Sequence, residues 1–249
     1  MSPAAKEPLP GRYRPPADAV LYAVGDIHGR SDLLDRIHQA IVRDASQRPA
    51  SRRVIVYLGD YIDRGADSAG VVARLAGEGP PGFDRYFLLG NHDTFLLDFL
   101  DAKSATADAW LWNGGAAAME SYGMTAAASD SRRSPEALRA DLMRALPPEH
   151  LAFFRALQLT HREGDILFVH AGFRPGVPIP KQTREDMLWI RGEFLESEAD
   201  HGGLVVHGHT PMPEPVIRKN RIGIDTGAWR SGQLTAAVFA GNTVSFLQT

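Results

Sequence analysis

Cysteine is absent from the 249 residues, so no disulfide framework, thiolate zinc site or cysteine nucleophile is available. No stretch is long and apolar enough for a secretory signal or a bilayer span, and a cysteine-free chain suits a reducing compartment, so a cytoplasmic location is expected. Charge of one sign is never massed. The 27 basic and 30 acidic residues are spread along the chain for a formal net charge of −3, which argues against a nucleic-acid surface or a polybasic membrane anchor. No module recurs at a fixed period, which excludes a repeat architecture. What is present is 44% hydrophobic residues, enough to bury the core of one large α/β domain or at most two small ones.

Residues 1–16, rich in Pro, Ala and Gly, read as a disordered lead-in to a single domain over 17–249. The apolar run within 19–25 predicts a buried strand ending at Gly25-Asp26. A helix follows from about Ser31, with Leu33, Leu34, Ile37 and Ile41 on one face and Ser31 or Asp32 as its cap. The pattern repeats: residues 54–58 form a strand ending at Gly59-Asp60, 68–75 a short helix, and 86–89 a third strand ending at Gly90-Asn91. Three strands that each finish in glycine and a polar residue are how an α/β sheet presents chemistry at its carboxyl edge.

Around 94–160 the pattern becomes mainly helical and reads as an insert. Phe95, Leu96, Phe99 and Leu100 make one face, and Leu138, Leu142, Ala145 and Leu146 another. Turns are expected at Gly114-Gly115 and over 125–134, and a break at Pro147-Pro148. Strands return before His170-Ala171-Gly172, His207-Gly208-His209 and Asp225-Thr226-Gly227. Residues 234–239 and 243–247 predict a hairpin around Gly241-Asn242.

The strand ends gather Asp26 with His28, Asp60, Asn91, His170 and His209. Carboxylate oxygen, amide oxygen and imidazole nitrogen suit manganese, iron or zinc and not copper(I) or an iron–sulfur cluster. Two cations about 3.5–4 Å apart need a bridging ligand. Asp60 is the candidate, because its strand is expected between those carrying Asp26 and Asn91. Two carboxylates offset only part of the charge on two divalent ions. Such a site would attract a phosphate dianion and lower the pKa of a shared water until a metal-bridging hydroxide attacks phosphorus.

Gly25-Asp26-Ile27-His28-Gly29, Gly59-Asp60-Tyr61-Ile62-Asp63-Arg64-Gly65, Gly90-Asn91-His92-Asp93, His170-Ala171-Gly172 and Gly208-His209 together resemble the motifs of the phosphoprotein phosphatase family, calcineurin-like metallophosphoesterases. The likeness runs over about 20–229 and includes bacterial serine/threonine phosphatases and symmetrical diadenosine tetraphosphate hydrolases. It implies an α/β fold of two packed, mostly mixed sheets flanked by helices, and two divalent ions, manganese preferred. Asp26, His28 and Asp60 would hold one ion; Asp60, Asn91, His170 and His209 the other. His92 would be the general acid, Asp63 its orienting carboxylate, and Arg64 and Arg191 the phosphate-binding arginines, Arg191 matching better than Arg184. Asp93 in place of glutamate, and Ala171 in place of glycine, fit the bacterial type.

The function this implies is phosphomonoester hydrolysis on a phosphoprotein or phosphopeptide, with small phosphate esters as further substrates. The alternative is a symmetrical dinucleoside polyphosphate hydrolase using the same ions. The absence of an obvious basic cluster in 94–160 favours the first. A metal-stabilised scaffold would need neither a proton donor nor phosphate forks, so His92, Asp63 and Arg64 argue against one. No oligomeric state is legible. The other histidines take ordinary readings: His38 at the edge of a helix face, His150 near a helix start, His161 and His201 in solvated turns, and His207 outside the ligand set. Asp225 reads as part of a turn, Trp110, Trp112 and Tyr122 as helix packing, and Asp67 and Arg162 as surface charges.

Overall fold

Every residue of 19–24 is buried, and alternate side chains serve different layers. Leu21 and Ala23 pack with Val54, Val56, Phe168, Val206 and Ile222, while Val20, Tyr22 and Val24 pack with Leu34, Ile37 and Ile41. A strand buried on both faces reads as a continuous apolar run, and its period of two sends neighbours to opposite sides. The computed structural model describes residues 6–103, 106–124 and 133–249.

The strands are β1 (Glu7–Pro8), β2 (Ala19–Val24), β3 (Arg52–Tyr57), β4 (Asp84–Phe87), β5 (Thr160–Glu163), β6 (Ile166–Val169), β7 (Leu204–His207), β8 (Val216–Ile217), β9 (Arg221–Gly223), β10 (Thr235–Ala240) and β11 (Thr243–Gln248). A six-stranded sheet has the order β1-β11-β10-β2-β3-β4, and a five-stranded sheet the order β5-β6-β7-β9-β8. Both are mixed: β2, β3 and β4 are parallel, as are β6, β7 and β9, and the remaining pairings are antiparallel. The two sheets face each other across one apolar cluster. β3 lies between β2 and β4, the order expected for the strands leading to Asp26, Asp60 and Asn91.

Helices cover the outer faces. α1 (Ser31–Ser46), α2 (Ser68–Ala76) and α3 (Asn91–Leu100) pack on the first sheet, joined by α4 (Thr106–Trp110), α5 (Ala116–Ser121), α6 (Pro135–Ala145) and α7 (Pro148–Arg155). α8 (Arg184–Trp189) and α9 (Gly192–Leu195) supply Met187 and Phe194 to the outer face of the second sheet, and α10 (Ala228–Ser231) precedes β10. Among the described residues no helix is long and apolar enough to cross a membrane.

Several local expectations change. The lead-in expected to be disordered over 1–16 belongs to the fold from Glu7 onward: β1 pairs with β11, Leu9 is buried, and the Tyr13 hydroxyl donates to Asp200 at 2.7 Å. Its prolines and glycines hid a segment whose partner is the far end of the chain. Neither Ser31 nor Asp32 caps α1. Arg30 stands at the cap, while Ser31 donates to Asp67 and Asp32 pairs with Arg30. Asp67 is itself the cap of α2, accepting from the Gly70 N–H at 2.9 Å, and not a free surface charge. Gly114-Gly115 lies in a wide helical turn, Leu111–Gly115, with Gly114 at φ 104°. Most of the loop expected over 125–134 lies outside the described residues.

Candidate metal centre

The carboxyl ends of β2, β3, β6 and β7 and the start of α3 converge, and the backbone there is bent into unusual shapes. Among the described residues the non-glycine positions with positive φ are Ala102 and five of the predicted site residues, His28, Asp60, Asp63, Arg64 and His209, at 45–73°. Side chains rarely adopt this region, and such strain persists where surrounding structure fixes it. Two glycines allow close approach to the aspartates. A Cβ on Gly208 would lie 2.0 Å from Asp26 Oδ1, and one on Gly90 would lie 2.1 Å from Asp60 Oδ1.

Asp60 is the shared member of two buried clusters, one with His28 and His92 and one with His170 and His209. His28 Nε2 is 3.4 Å from Asp60 Oδ2, and His170 Nε2 is 3.6 Å from Asp60 Oδ1. Asn91 Oδ1 lies 2.9 Å from both His170 Nε2 and His209 Nδ1. Asp26, 2% exposed, accepts from the His209 backbone N–H at 3.1 Å. All six expected ligands are thus brought together, with His92 beside them.

The donor chemistry fits cations. His28 and His170 each donate from Nδ1 to a backbone carbonyl, Ile62 at 2.8 Å and Leu58 at 2.9 Å. This tautomer leaves each Nε2 lone pair aimed at the centre, the arrangement that outer hydrogen bonds impose on metal-binding histidines. The His170 lone pair then faces the oxygens of Asn91 and Asp60, acceptor against acceptor, with no proton between them. Burial, with the charges of Asp225 and Asp60, holds the Asp26 carboxyl well above the usual range. Burial opposes charge on Asp60 too, yet the imidazoles of His170, His92, His28 and His209 outweigh it and hold that carboxyl low. His28 is pushed down to about 3, chiefly by burial. Asp26 held high by burial and its carboxylate neighbours, beside His28, His170 and His209 held low by burial, is a site completed by positive charge.

His92 is held differently. Its Nδ1 is 2.7 Å from Asp63 Oδ2, and the Trp110 indole N–H donates to both Asp63 oxygens at 3.0 Å. Burial disfavours the imidazolium, but Asp60 and Asp63 prevail and raise the pKa of His92. The hydrogen bonds of Trp110 carry no sequence signal, since helix packing explains the same residue. Asp93 is fully buried and accepts from the backbone N–H groups of Gly90, Asp60 and Tyr61 at 2.9–3.1 Å, fixing the loop that presents Asp60. Its place beside His92 in the motif was the available clue.

Arg64 and Arg191 are exposed at different parts of the rim. Arg64 Nη1 is 2.9 Å from His28 Nε2, and Arg191 donates to Thr210 Oγ1 at 3.4 Å, where its charge adds to the burial that holds His170 and His209 low. Arg184 instead donates to Thr94 Oγ1 at 3.5 Å. His207 lies behind the centre, its ring 5.1 Å from that of Phe194 and its Nε2 3.3 Å from Arg221. His38 meets the Tyr57 hydroxyl at 2.8 Å and His150 that of Tyr122 at 2.9 Å, each in a packed setting. His161 stacks on Tyr86 within β5, and His201 packs against Phe173 and Phe194, so neither sits in a solvated turn. Asp225 does more than close a turn: it is buried beside Asp26, and burial pushes it up to about 6.

Comparison with known proteins gives a consistent setting. The family described as calcineurin-like phosphoesterase matches residues 19–235. The serine/threonine-protein phosphatase 1 of Salmonella typhimurium is 30% identical, over 87% of this chain and 90% of its own. The asymmetrical bis(5'-nucleosyl)-tetraphosphatase PrpE of Oceanobacillus iheyensis is 25% identical, over 87% of each. The crystal structure of a candidate diadenosine tetraphosphatase superposes with a TM-score of 0.62 at 22% identity, over 94% of this chain and 95% of that one.

Proposed function

Because the chain belongs to the calcineurin-like phosphoesterase family and carries its dinuclear metal-binding site, we propose that it hydrolyses a dinucleoside polyphosphate, with diadenosine tetraphosphate as the type substrate. The carrying observation is the placing of its two rim arginines. Arg64 stands by His28, and Arg191, bonded to Thr210, acts on His209, one beside each half of the centre that Asp60 joins. Forks on both sides give a chain of several phosphates a donor at each half of the centre. The tetraphosphatase relative, matched over nearly its whole length, supports the same reading.

The proposed ligands are Asp26, His28 and Asp60 for one ion and Asp60, Asn91, His170 and His209 for the other, manganese being preferred and iron or zinc compatible. Bound there, two divalent cations would supply an acidified water and neutralise phosphate charge. The chain's own groups do the rest. Arg64 and Arg191 hold non-bridging oxygens. Asp63 keeps the Nδ1 proton of His92, so that the other ring nitrogen delivers a proton to the departing oxygen as the new phosphorus–oxygen bond forms and the old one breaks.

A second reading, protein phosphatase, has the Salmonella relative in its favour. The two are separated by assaying the manganese-loaded chain on diadenosine tetraphosphate and on a phosphopeptide, with products resolved by ion exchange. Higher kcat/KM on the dinucleotide is expected. Two ADP would mark symmetrical cleavage, and AMP with ATP the asymmetrical kind. Higher kcat/KM on the peptide sinks the nucleotide reading and moves the same centre to a protein substrate.

A further inference from the structure

The rim of the metal centre carries aromatic surface that neither ligands nor proton donor requires. Among the described residues the exposed large apolar side chains are Val42, Trp112, Met143, Trp189, Met212 and Trp229. Four of these six lie at the rim. Trp112 is two residues from Gly114, whose carbonyl accepts from the Arg64 N–H; Trp189 is two residues before Arg191; Met212 is three after His209; and Trp229 lies under Arg64. Scattered exposed apolar residues need no explanation, but a concentration around one site marks a binding surface.

Two of the indoles are fixed in place. Trp189 meets the His209 ring edge-on at a centroid distance of 6.1 Å and Phe95 at 5.5 Å, yet it stays 41% exposed. The Arg64 guanidinium carbon is 5.4 Å from the centre of Trp229, which stays 39% exposed. His209 and, through Arg64, His28 belong to different halves of the centre, so one indole serves each half. Trp189 also borders an open cavity of about 570 Å³ whose wall carries Arg174 and Arg191 together with the carboxylates of Glu185, Asp186 and Glu193.

We infer that Trp189 and Trp229 are stacking platforms, one for each nucleobase of a dinucleoside polyphosphate whose phosphate chain crosses the centre between them. The inference rests on the nucleotide reading above and adds the groups that recognise the bases. The order indole, cationic centre, indole matches a ligand whose order is base, polyanion, base. An apolar peptide groove would instead be continuous, and here a charged centre divides it. Indole faces stack on any base, so the platforms favour nucleotides over bare phosphates without choosing among bases. Arg64 occupies one face of Trp229 and pins the ring; the surface left open is what a base would cover.

The test uses Trp189→Ala and Trp229→Ala, with Trp→Phe at each position, in the manganese-loaded full chain. The readout is the ratio of kcat/KM on diadenosine tetraphosphate to that on glycerol 2-phosphate, which has no base. Each Ala change should lower this ratio roughly 5- to 100-fold through KM, and Phe should restore most of it. A merely structural role would lower both activities together and leave the ratio unchanged, which overturns the inference while the wild-type preference for the dinucleotide still stands. A ratio that holds while phosphopeptide turnover alone collapses also overturns it and gives the indoles to a protein substrate. If the wild type prefers the peptide, the underlying reading fails and the inference falls with it. The wild type supplies a reading that needs no variant: ADP should quench its indole fluorescence and pyrophosphate should not, whereas equal quenching counts against the platforms.

Discussion

His92 is useful only while its ring is held, and the holding is done in two steps: Asp63 fixes the imidazole and Trp110 fixes Asp63. Removing the ring should lower turnover by about 10²–10⁴-fold. His92→Ala should keep both metal ions by elemental analysis; their loss would instead make His92 a ligand, as its proximity to His28 and Asp60 permits. The deficit should be smaller on a dinucleotide than on an alkyl phosphate, because a nucleotide leaves without needing a proton as an alkoxide does. Trp110→Phe keeps the ring volume but deletes the donor to Asp63. It should cost roughly tenfold in kcat with KM little changed, and an equal rise in KM would place Trp110 in substrate binding instead.

At the scale of elements, the centre depends on how two sheets are registered against each other, because Asp26, Asp60 and Asn91 come from one and His170 and His209 from the other. Arg52 of β3 clamps that registration by a bidentate pair with Glu163 of β5, at 2.7 and 2.9 Å. Burial raises the Glu163 carboxyl, but the hydrogen bonds from Arg52 and His161 outweigh it and hold the group below the usual glutamate range. The sign follows. The contribution is complete above the ordinary value of 4.5 and is lost as pH falls through the lower value of the folded chain. Glu163→Gln should therefore cost about 1–2 kcal/mol at neutral pH. The gap between variant and wild type in urea melts should close as pH is lowered below 4; a gap constant with pH would show that the charge is not what matters.

For the molecule as a whole, the metal-dependent phosphoesterase centre is also a store of stability. Asp26 and Asp225 are buried together without enough positive charge of their own, and both carboxyls are held above the usual range. Cation binding to the folded chain alone should raise the melting temperature, and chelation should lower it by roughly 5–10 °C. A melting curve indifferent to chelator would contradict a centre completed by metal. At the opposite edge, β1 covers the outer side of β11 and Leu9 is buried with it. Deleting residues 1–9 uncovers a strand edge, and concentration-dependent association in light scattering is the expected result; a deletion variant that stays monodisperse would show that β11 needs no cover.

The amino-acid order alone specifies the features that depend on neighbours along the chain. Residues 19–24, the face of α1, the helix at 68–76 and the hairpin of β10 and β11 follow from period and turn chemistry, and the motifs at the strand ends name the residues that meet. Even the place of Asp60 between two strands was legible, because parallel strands joined by short helices lie side by side. Features that depend on distant partners are set by the folded packing. β1 and β8 are too short, and β5 too polar, to carry a pattern, and they exist because β11, β9 and β6 supply their hydrogen bonds. The donation of Trp110 to Asp63, the burial of Asp225 beside Asp26 and the standing of one indole at each half of the centre come from residues far apart in the chain. A sequence pattern records which face is buried and where the chain turns; it does not record which remote group a buried donor will find.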